Sequence, residues 1–397
     1  MIRCIENGVV LTPWGKEYEK CVFIRDGVID AVCTKEEYGA KAEETIDAKG
    51  EYVSAGFIDI HTHGGGGYDF MDGDCASFQG AARFHLSHGT TSILPTSLSG
   101  SDEEIFALFD GFKQAKQGMK NGPEFLGLHL EGPYFSVAQK GAQDEKFLRF
   151  PNPAHYGPIL KCGEGVLKRW SIAPELPGAL ELGDRLRERG IVASIGHSDA
   201  DYEQVRAAIQ HGYTHVTHLY SGMSSLHRVN AFRVLGIVES AYLFDELTVE
   251  VIADGKHLPP ELLRLIVRCK EMGKICTVTD SLRCTGEPAE GMHFSGSRKN
   301  GQPVILEDGV AKMPDRTCFA GSVCTADRCV RTMYRQAGVS LEQAVRMMTE
   351  VPACVMGVAN RLGRLEKGYD ADVCIFDENI ELSYILCKGE IVRHASQ

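Results

Sequence analysis

His61 and His63 stand two residues apart in Ala55-Gly-Phe-Ile-Asp-Ile-His-Thr-His63, and four glycines, Gly64 to Gly67, follow at once. On an extended chain alternate side chains share a face, so both imidazoles can reach one metal ion. Phe57, Ile58 and Ile60 read as a short buried strand that the glycines cannot continue, which places the pair where strand gives way to loop. The glycines also let backbone or substrate come close. Two surface histidines in a glycine-rich turn would look the same. What separates the readings is whether metal-competent partners recur at the ends of later strands.

Such partners do recur. Glu131 closes Leu128-His-Leu-Glu-Gly-Pro133, His197 follows Ile195-Gly, and His218 lies within His215-Val-Thr-His-Leu-Tyr220. His257 ends Ala253-Asp-Gly-Lys-His257, and Asp280 follows Val278-Thr. Singly, each has a plain reading: a strand-end histidine can be a satisfied polar residue, Glu131 before Gly-Pro can hold a turn, and Asp280 can cap a helix. Together they are histidines and carboxylates suited to one or two divalent ions with room left for a substrate. His129 and His215 read as core or rim residues pointing away from this set, although the offset of two residues between His129 and Glu131 leaves that face open.

These groups need a scaffold that presents strand ends on one side. Apolar runs suited to strands alternate with helical periodicity: Ile58 to Ile60, Thr91 to Ser97, Phe125 to Leu130, Leu167 to Ala173, Ile191 to Ile195, His215 to Leu219, Leu247 to Ile252 and Ile275 to Val278. Asp102 to Gln117 is a helix with Ile105, Leu108, Phe109 and Phe112 on one face; Gly178 to Arg189, Asp201 to Gln210 and Pro260 to Met272 are further helices. A long loop with several prolines separates the third strand from the fourth. Eight strands alternating with helices predict an α/β fold, a (β/α)8 TIM barrel, whose active sites lie at the C-terminal ends of the strands. A doubly wound open sheet would alternate similarly, but no Gly-x-Gly-x-x-Gly joins a strand to a helix here.

Both ends of the chain have another texture. Short apolar runs punctuated by Asn7-Gly8 and Asp26-Gly27 predict hairpins near the N-terminus, and Gly368 to Phe376 and Tyr384 to Val392 are strand-like near the C-terminus. Neither piece can close its own core. The expected division is a small β-sandwich domain from residues 1–53 and 358–397, with the barrel over 54–357.

The chain has 397 residues, 43% hydrophobic and 24% charged, with a net charge of -12. That balance excludes a disordered or membrane class, and the absence of a Lys/Arg cluster argues against nucleic acid or an anionic membrane as partner. A small-molecule substrate is expected. No apolar stretch approaches the roughly 18 residues of a membrane span, and the N-terminal MIRCIENGVV lacks a basic region followed by an apolar one. The 14 cysteines are scattered singly with no Cys-x-x-Cys, as expected of reduced, packed thiols in a cytoplasmic protein.

Ala55-Gly-Phe-Ile-Asp-x-His-x-His63, His129-Leu-Glu-Gly-Pro-Tyr134, Gly196-His-Ser198, Thr217-His-Leu-Tyr220, Ile252-Ala-Asp-Gly-x-His257, Thr279-Asp280, Ala320-Gly-Ser322 and Gly363-Arg-Leu-x-x-Gly-Tyr-Asp-Ala-Asp372 resemble motifs of the amidohydrolase superfamily. More narrowly they resemble its N-acetylglucosamine-6-phosphate deacetylases, over nearly the whole chain. The resemblance implies a metal-dependent deacetylase that releases acetate from the amino-sugar phosphate, using one or two divalent ions, zinc or iron. Glu131, His197 and His218 would hold the principal ion and His61 and His63 a second. Asp280 would be the catalytic base. His257, Ala142, Ser221, Gly222, Arg228, Phe319, Ala320 and Gly321 would contact substrate, and a homodimer is implied.

Three departures bear on the substrate. Ser221-Gly222 replaces the usual Asn-Ala, Gln143 replaces a common histidine after Lys140-Gly-Ala, and Arg233 competes with Arg228 as the phosphate-binding arginine. The alternatives are an amidohydrolase acting on another N-acetylated sugar or a related amide, and a catalytically silent binding protein on the same fold. Loss of ligands or base marks such silent proteins, and here every role is filled. Cyclic-amide members usually carry a carboxylated lysine on the fourth strand, where Lys168 lies too early.

Overall fold

The structure is a computed structural model that describes residues 1–287 and 289–394. Eight parallel strands form the barrel: Phe57–Thr62, Thr90–Pro95, Leu128–Glu131, Leu167–Ile172, Val192–Ile195, Tyr213–Val216, Thr248–Ile252 and Ile275–Val278. The third to eighth pair in succession, and the first pairs with the second. A bridge from Thr96 to His129 joins the second to the third, and the Asp280 N–H donates to the His61 carbonyl at 2.8 Å, returning the eighth to the first. Strand-end polar groups are thereby gathered around one rim.

Helices follow the strands because local signals and burial agree. Ser101 caps Asp102–Gly118 and Glu104 closes the capping box, satisfying two otherwise unpaired N–H groups. The inner face of that helix buries Ile105, Leu108, Phe109 and Phe112, and the Phe112 ring lies 5.5 Å from Phe125 and 6.0 Å from Phe78. Burying each such side chain contributes about 1.5–3 kcal/mol, and cutting Phe112 back to Ala would remove about 3–5 kcal/mol through the cavity left behind.

Boundaries differ from expectation in several places. Glu124–Phe125 pairs separately with Ser92 and Ile93, and the third barrel strand begins only at Leu128. The sixth strand stops at Val216, because the chain turns into a left-handed conformation at His218, φ 29°. The expected loop before the fourth strand contains the helix Pro153–Cys162, started by Asn152 as cap and Pro153 in the first turn, where a missing N–H leaves nothing unpaired.

Terminal segments form two further sheets. One has the order Val28–Cys33, Cys21–Arg25, Ile2–Glu6, Glu44–Asp47; the other runs Glu390–His394, Leu382–Cys387, Val373–Phe376, Tyr52–Ala55, Val9–Thr12, Gly15–Glu17. Val373 to Phe376 lie antiparallel to Tyr52 to Ala55, so the two ends of the chain share one sheet. Ile5, Val22, Ile24 and Ile46 from the first sheet pack with Val10, Val53, Val373, Ile375 and Leu386 from the second, the face-to-face packing of a β-sandwich. After the eighth barrel strand a four-stranded antiparallel cap is inserted, Gly291–Ser295, Gln302–Glu307, Val310–Lys312 and Phe319–Gly321.

Candidate active site

All six residues of the first barrel strand are buried, and the chain then doubles back as Gly64–Gly65 pairs with Tyr68–Asp69. A Cβ on Gly64 would lie 2.1 Å from the Tyr68 carbonyl oxygen, so only glycine permits this return. His61 and His63 are thus left facing the barrel mouth, both buried. His197, His218 and Asp280 share a different device. Their φ angles are 46°, 29° and 48°, in the left-handed region that L-residues with side chains rarely adopt. Strain of this kind, about 1–3 kcal/mol per residue, gathers where geometry matters more than local stability.

Two clusters result. Glu131 Oε1 lies 2.9 Å from His218 Nε2 and 3.3 Å from His197 Nε2, and the two imidazole nitrogens are 3.1 Å apart. Asp280 Oδ1 lies 3.0 Å from His63 Nε2 and 3.5 Å from His61 Nε2. Glu131 sits between them, 3.4 Å from His61 and 3.5 Å from His63. Each group of three, Glu131 with His197 and His218 or His61 with His63 and Asp280, keeps its ligand atoms within 4.8 Å of one another.

The donor set fits a divalent cation. His197 Nδ1 donates to the Gln139 carbonyl at 2.9 Å and His61 Nδ1 to the Glu250 carboxylate at 2.6 Å, which leaves both Nε2 atoms as lone pairs in the neutral rings. His61 Nε2 has no hydrogen-bond partner among the described residues and points at carboxylate oxygens. Lone pairs facing carboxylates repel unless positive charge lies between them. The electrostatics agree: burial alone would lower His63, yet Asp280 and Glu131 push it up to about 9. Burial alone would raise Glu131 and Asp280, yet the imidazoles hold both below the usual carboxylate range.

His257 lies across the mouth. Its Nδ1–H donates to Asp254 Oδ2 at 2.8 Å, while Asp254 Oδ1 accepts the backbone N–H groups of Lys256 and His257. That turn fixes the ring and directs Nε2 away from Asp254. Gly222, φ 55°, brings the backbone beside His197, where a Cβ would stand 2.9 Å from Nδ1 and 3.0 Å from the Gln139 carbonyl oxygen.

A cavity of about 480 Å³ opens onto both clusters. Its lining includes His63, Glu131, His197, His218, His257 and Asp280 with Ala142, Ser221, Gly222, Phe319, Ala320 and Gly321. His61 lies in the floor, reached through its contacts with Glu131 and Asp280. Arg228 is elsewhere. It is exposed on the hairpin His227–Val229/Phe232–Val234, directly opposite Arg233, and the cavity of a single chain does not include it. Every residue of the two hairpin strands except the half-buried Val234 is exposed.

His129 and His215 do not point away from the site. Alternate strand residues share a face, so His129 enters the barrel interior one layer below Glu131, its ring 4.8 Å from that of His61. It bonds Ser171 at 2.7 Å, and His215 bonds Thr248 at 2.6 Å.

Sequence reasoning gives no role to five participants, of which it notes only Gln143, as a departure. Lys312 and Arg316 reach the cavity from the cap, both paired with Glu307. Gln143 holds Glu131 Oε2 at 2.8 Å while accepting the Ser99 N–H, and the buried pair Glu250 and Arg169 lies beneath His61. Charged residues inside Leu167-Lys-Arg-Trp-Ser-Ile172 and Thr248-Val-Glu-Val-Ile252 were the available signal for that pair, since both strands are otherwise built for a core.

The amidohydrolase family model matches residues 52–393. An N-acetylglucosamine-6-phosphate deacetylase of Lysinibacillus sphaericus is 30% identical over 394 residues, covering 98% of this chain and 97% of that protein. An N-acetylgalactosamine-6-phosphate deacetylase of Escherichia coli is 31% identical over 368 residues, 93% of each. A solved structure of a mutant N-acetyl-D-glucosamine-6-phosphate deacetylase from Mycobacterium smegmatis, in complex with N-acetyl-D-glucosamine-6-phosphate, superposes with a TM-score of 0.88 at 28% identity, covering 99% of both chains.

Proposed function

This chain belongs to the amidohydrolase family, and on that premise we propose that it hydrolyses the N-acetyl group of N-acetylglucosamine 6-phosphate to glucosamine 6-phosphate and acetate. The observation that carries this reading is the gathering of Glu131, His197, His218, His61, His63 and Asp280 at one barrel rim, open to a cavity that suits a sugar phosphate. Glu131, His197 and His218 would hold a principal divalent ion, zinc or iron, with His61 and His63 available for a second. When bound, such a cation supplies Lewis acidity, polarising the amide carbonyl and making water a better nucleophile at neutral pH.

The chain's own groups handle the protons. Asp280, held as a carboxylate, accepts the proton of the attacking water and returns it to the amide nitrogen as the C–N bond breaks, so that amine and acetate leave in balance. His257, oriented by Asp254, presents Nε2 as an acceptor to a sugar hydroxyl, or as a donor to the amide oxygen when the ring carries a second proton. Gly222 offers a peptide N–H and Ser221 a hydroxyl to the phosphate, the Ser221 N–H being already given to the His218 carbonyl at 2.9 Å.

Phosphate charge is matched by arginine. The exposed hairpin bearing Arg228 also displays Phe232 at 78% exposure, which suits contact with a second copy of the chain and supports a homodimer. Residues 1–53 and 358–397 are assigned to the small β domain and 54–357 to the hydrolase barrel, residues 395–397 lying outside those described. A cytoplasmic location is supported by the free state of all the cysteines; among the described residues no helix is long and apolar enough to cross a membrane.

The relative named for N-acetylgalactosamine 6-phosphate favours one second reading, the epimeric sugar. Acetate release measured on the two sugar 6-phosphates and on unphosphorylated N-acetylglucosamine tests both. The expected order places N-acetylglucosamine 6-phosphate first. A galacto-sugar preference transfers the assignment to the epimer, and no release from any of the three overturns the deacetylase reading.

A further inference from the structure

Beneath the mouth lies a pair of charges that hydrolysis itself does not use. Glu250 on the seventh strand and Arg169 on the fourth are wholly buried, with Glu250 Oε2 2.6 Å from Arg169 Nη1. Arg169 also donates to Ser194 Oγ at 2.9 Å, Thr217 Oγ1 at 3.0 Å and the Ile60 carbonyl at 3.3 Å, tying the fifth strand, the first strand and the residue just past the sixth to the fourth. Barrel interiors are ordinarily filled by branched apolar side chains. A buried ion pair is no more stabilising than a well-packed hydrophobic replacement, so stability alone does not explain this one.

The other oxygen of Glu250 shows what the pair does. Oε1 accepts the His61 Nδ1–H at 2.6 Å and the backbone N–H of His218 at 2.9 Å. A carboxylate paired with arginine can only accept, so Nδ1 of His61 must carry the proton, and the Nε2 lone pair is turned toward Glu131 and Asp280. The backbone N–H it holds belongs to one of the strained residues, His218 at φ 29°. One oxygen atom therefore touches both histidine clusters, through a ring in one and through the main chain in the other.

We propose that Glu250, neutralised by Arg169, is the positioning residue of the site: it fixes His61 in the Nδ1–H tautomer and pins His218, so that both clusters keep metal-ligating geometry. The proposal rests on the metal reading given above. Partners of this kind, which orient a ligating histidine, change metal affinity by about 10- to 100-fold when removed.

The test replaces both charges at once, Glu250→Leu with Arg169→Met, which leaves no unpaired buried charge. Cobalt(II) is titrated into chelator-stripped protein and followed by its visible absorption, with the thermal midpoint of the metal-free protein measured beside it. The expected result is a metal-free protein that still unfolds in one cooperative thermal transition, cobalt affinity at least 10-fold weaker and an altered spectrum. Glu250→Gln is the second variant; its single carbonyl oxygen cannot serve His61 and Arg169 together, so affinity falls in the same direction. Wild-type affinity and spectrum in either folded variant overturn the proposal and leave the metal reading intact. A wild-type protein that takes up no cobalt overturns the metal reading, and the proposal with it.

Discussion

Replacing Asp372 by Asn should make the protein more stable, and increasingly so as the pH rises. Asp372 stands where the terminal sheets meet the barrel, with its backbone carbonyl accepting the Gly56 N–H at 2.9 Å. Oδ1 accepts the Lys388 N–H at 2.7 Å, but Oδ2 has no hydrogen-bond partner among the described residues, and the side chain is 5% exposed. The Lys388 ammonium, which pulls the other way, is engaged by Glu124 at 3.0 Å. Burial, with Asp370 and Glu124 adding to it, pushes the carboxyl from 3.8 up to about 7. A folded pKa above the unfolded one means that the native state holds the proton longer, so stability falls as pH rises from about 4 to about 7 and levels off above. At about 1.36 kcal/mol per pH unit, the full loss is about 4 kcal/mol, of which about 2–3 kcal/mol falls between pH 5 and pH 8. Asn keeps the acceptor for Lys388 and matches the neutral acid in shape, so Asp372→Asn should escape the loss. With an unfolding entropy of about 2.1 cal/mol/K per residue, 4 kcal/mol corresponds to a rise of about 5 °C in thermal midpoint at pH 8. Midpoints of both proteins measured across that pH range decide the matter. A gap that stays constant with pH, or a variant less stable at pH 8, refutes the buried-carboxyl reasoning.

Three further outcomes bear on the site. Changing Glu131, His197 or His218 singly to Ala should abolish metal uptake by elemental analysis together with most activity, because three ligands leave no redundancy, whereas changing His61 and His63 together should be milder if only the principal ion is catalytic. Asp280→Asn should retain metal but lower turnover by about 10²- to 10⁴-fold; a near-normal rate across the pH range would move the base elsewhere, His257 being the next candidate. The 6-phosphate should raise kcat/KM over the unphosphorylated sugar by at least about 10²-fold, roughly 2.7 kcal/mol, and Arg228→Ala should remove most of that preference if the hairpin serves a second copy's cavity. A preference that survives in that variant but falls in Arg316→Ala would assign the charge to the cap instead.

Some of this was legible in sequence because it depends on neighbours along the chain. The two-residue period of a strand puts His61 and His63 on one face, and a run of glycines ends that strand whatever surrounds it. Alternation of apolar runs with helical periodicity predicts a parallel α/β fold, the missing Gly-x-Gly-x-x-Gly favours a barrel over a doubly wound sheet, and barrel topology sends every strand end to one rim. Arg228 could be recognised as a phosphate-type residue but not located, since whether a hairpin folds over its own cavity or projects outward is settled by packing far from its own residues. Glu250 and Arg169 were visible as charges within apolar runs, but they are 81 residues apart and meet only when the barrel closes. The left-handed turns at His197, His218 and Asp280 could not be placed from residue type either: histidine and aspartate enter that conformation more readily than most side chains without requiring it, and hydrogen bonds to groups distant along the chain hold them in it. Local periodicity therefore determined which residues could reach the rim. Tertiary closure decided their tautomers, their angles and their partners, because those depend on groups brought within 3 Å across the barrel rather than along the chain.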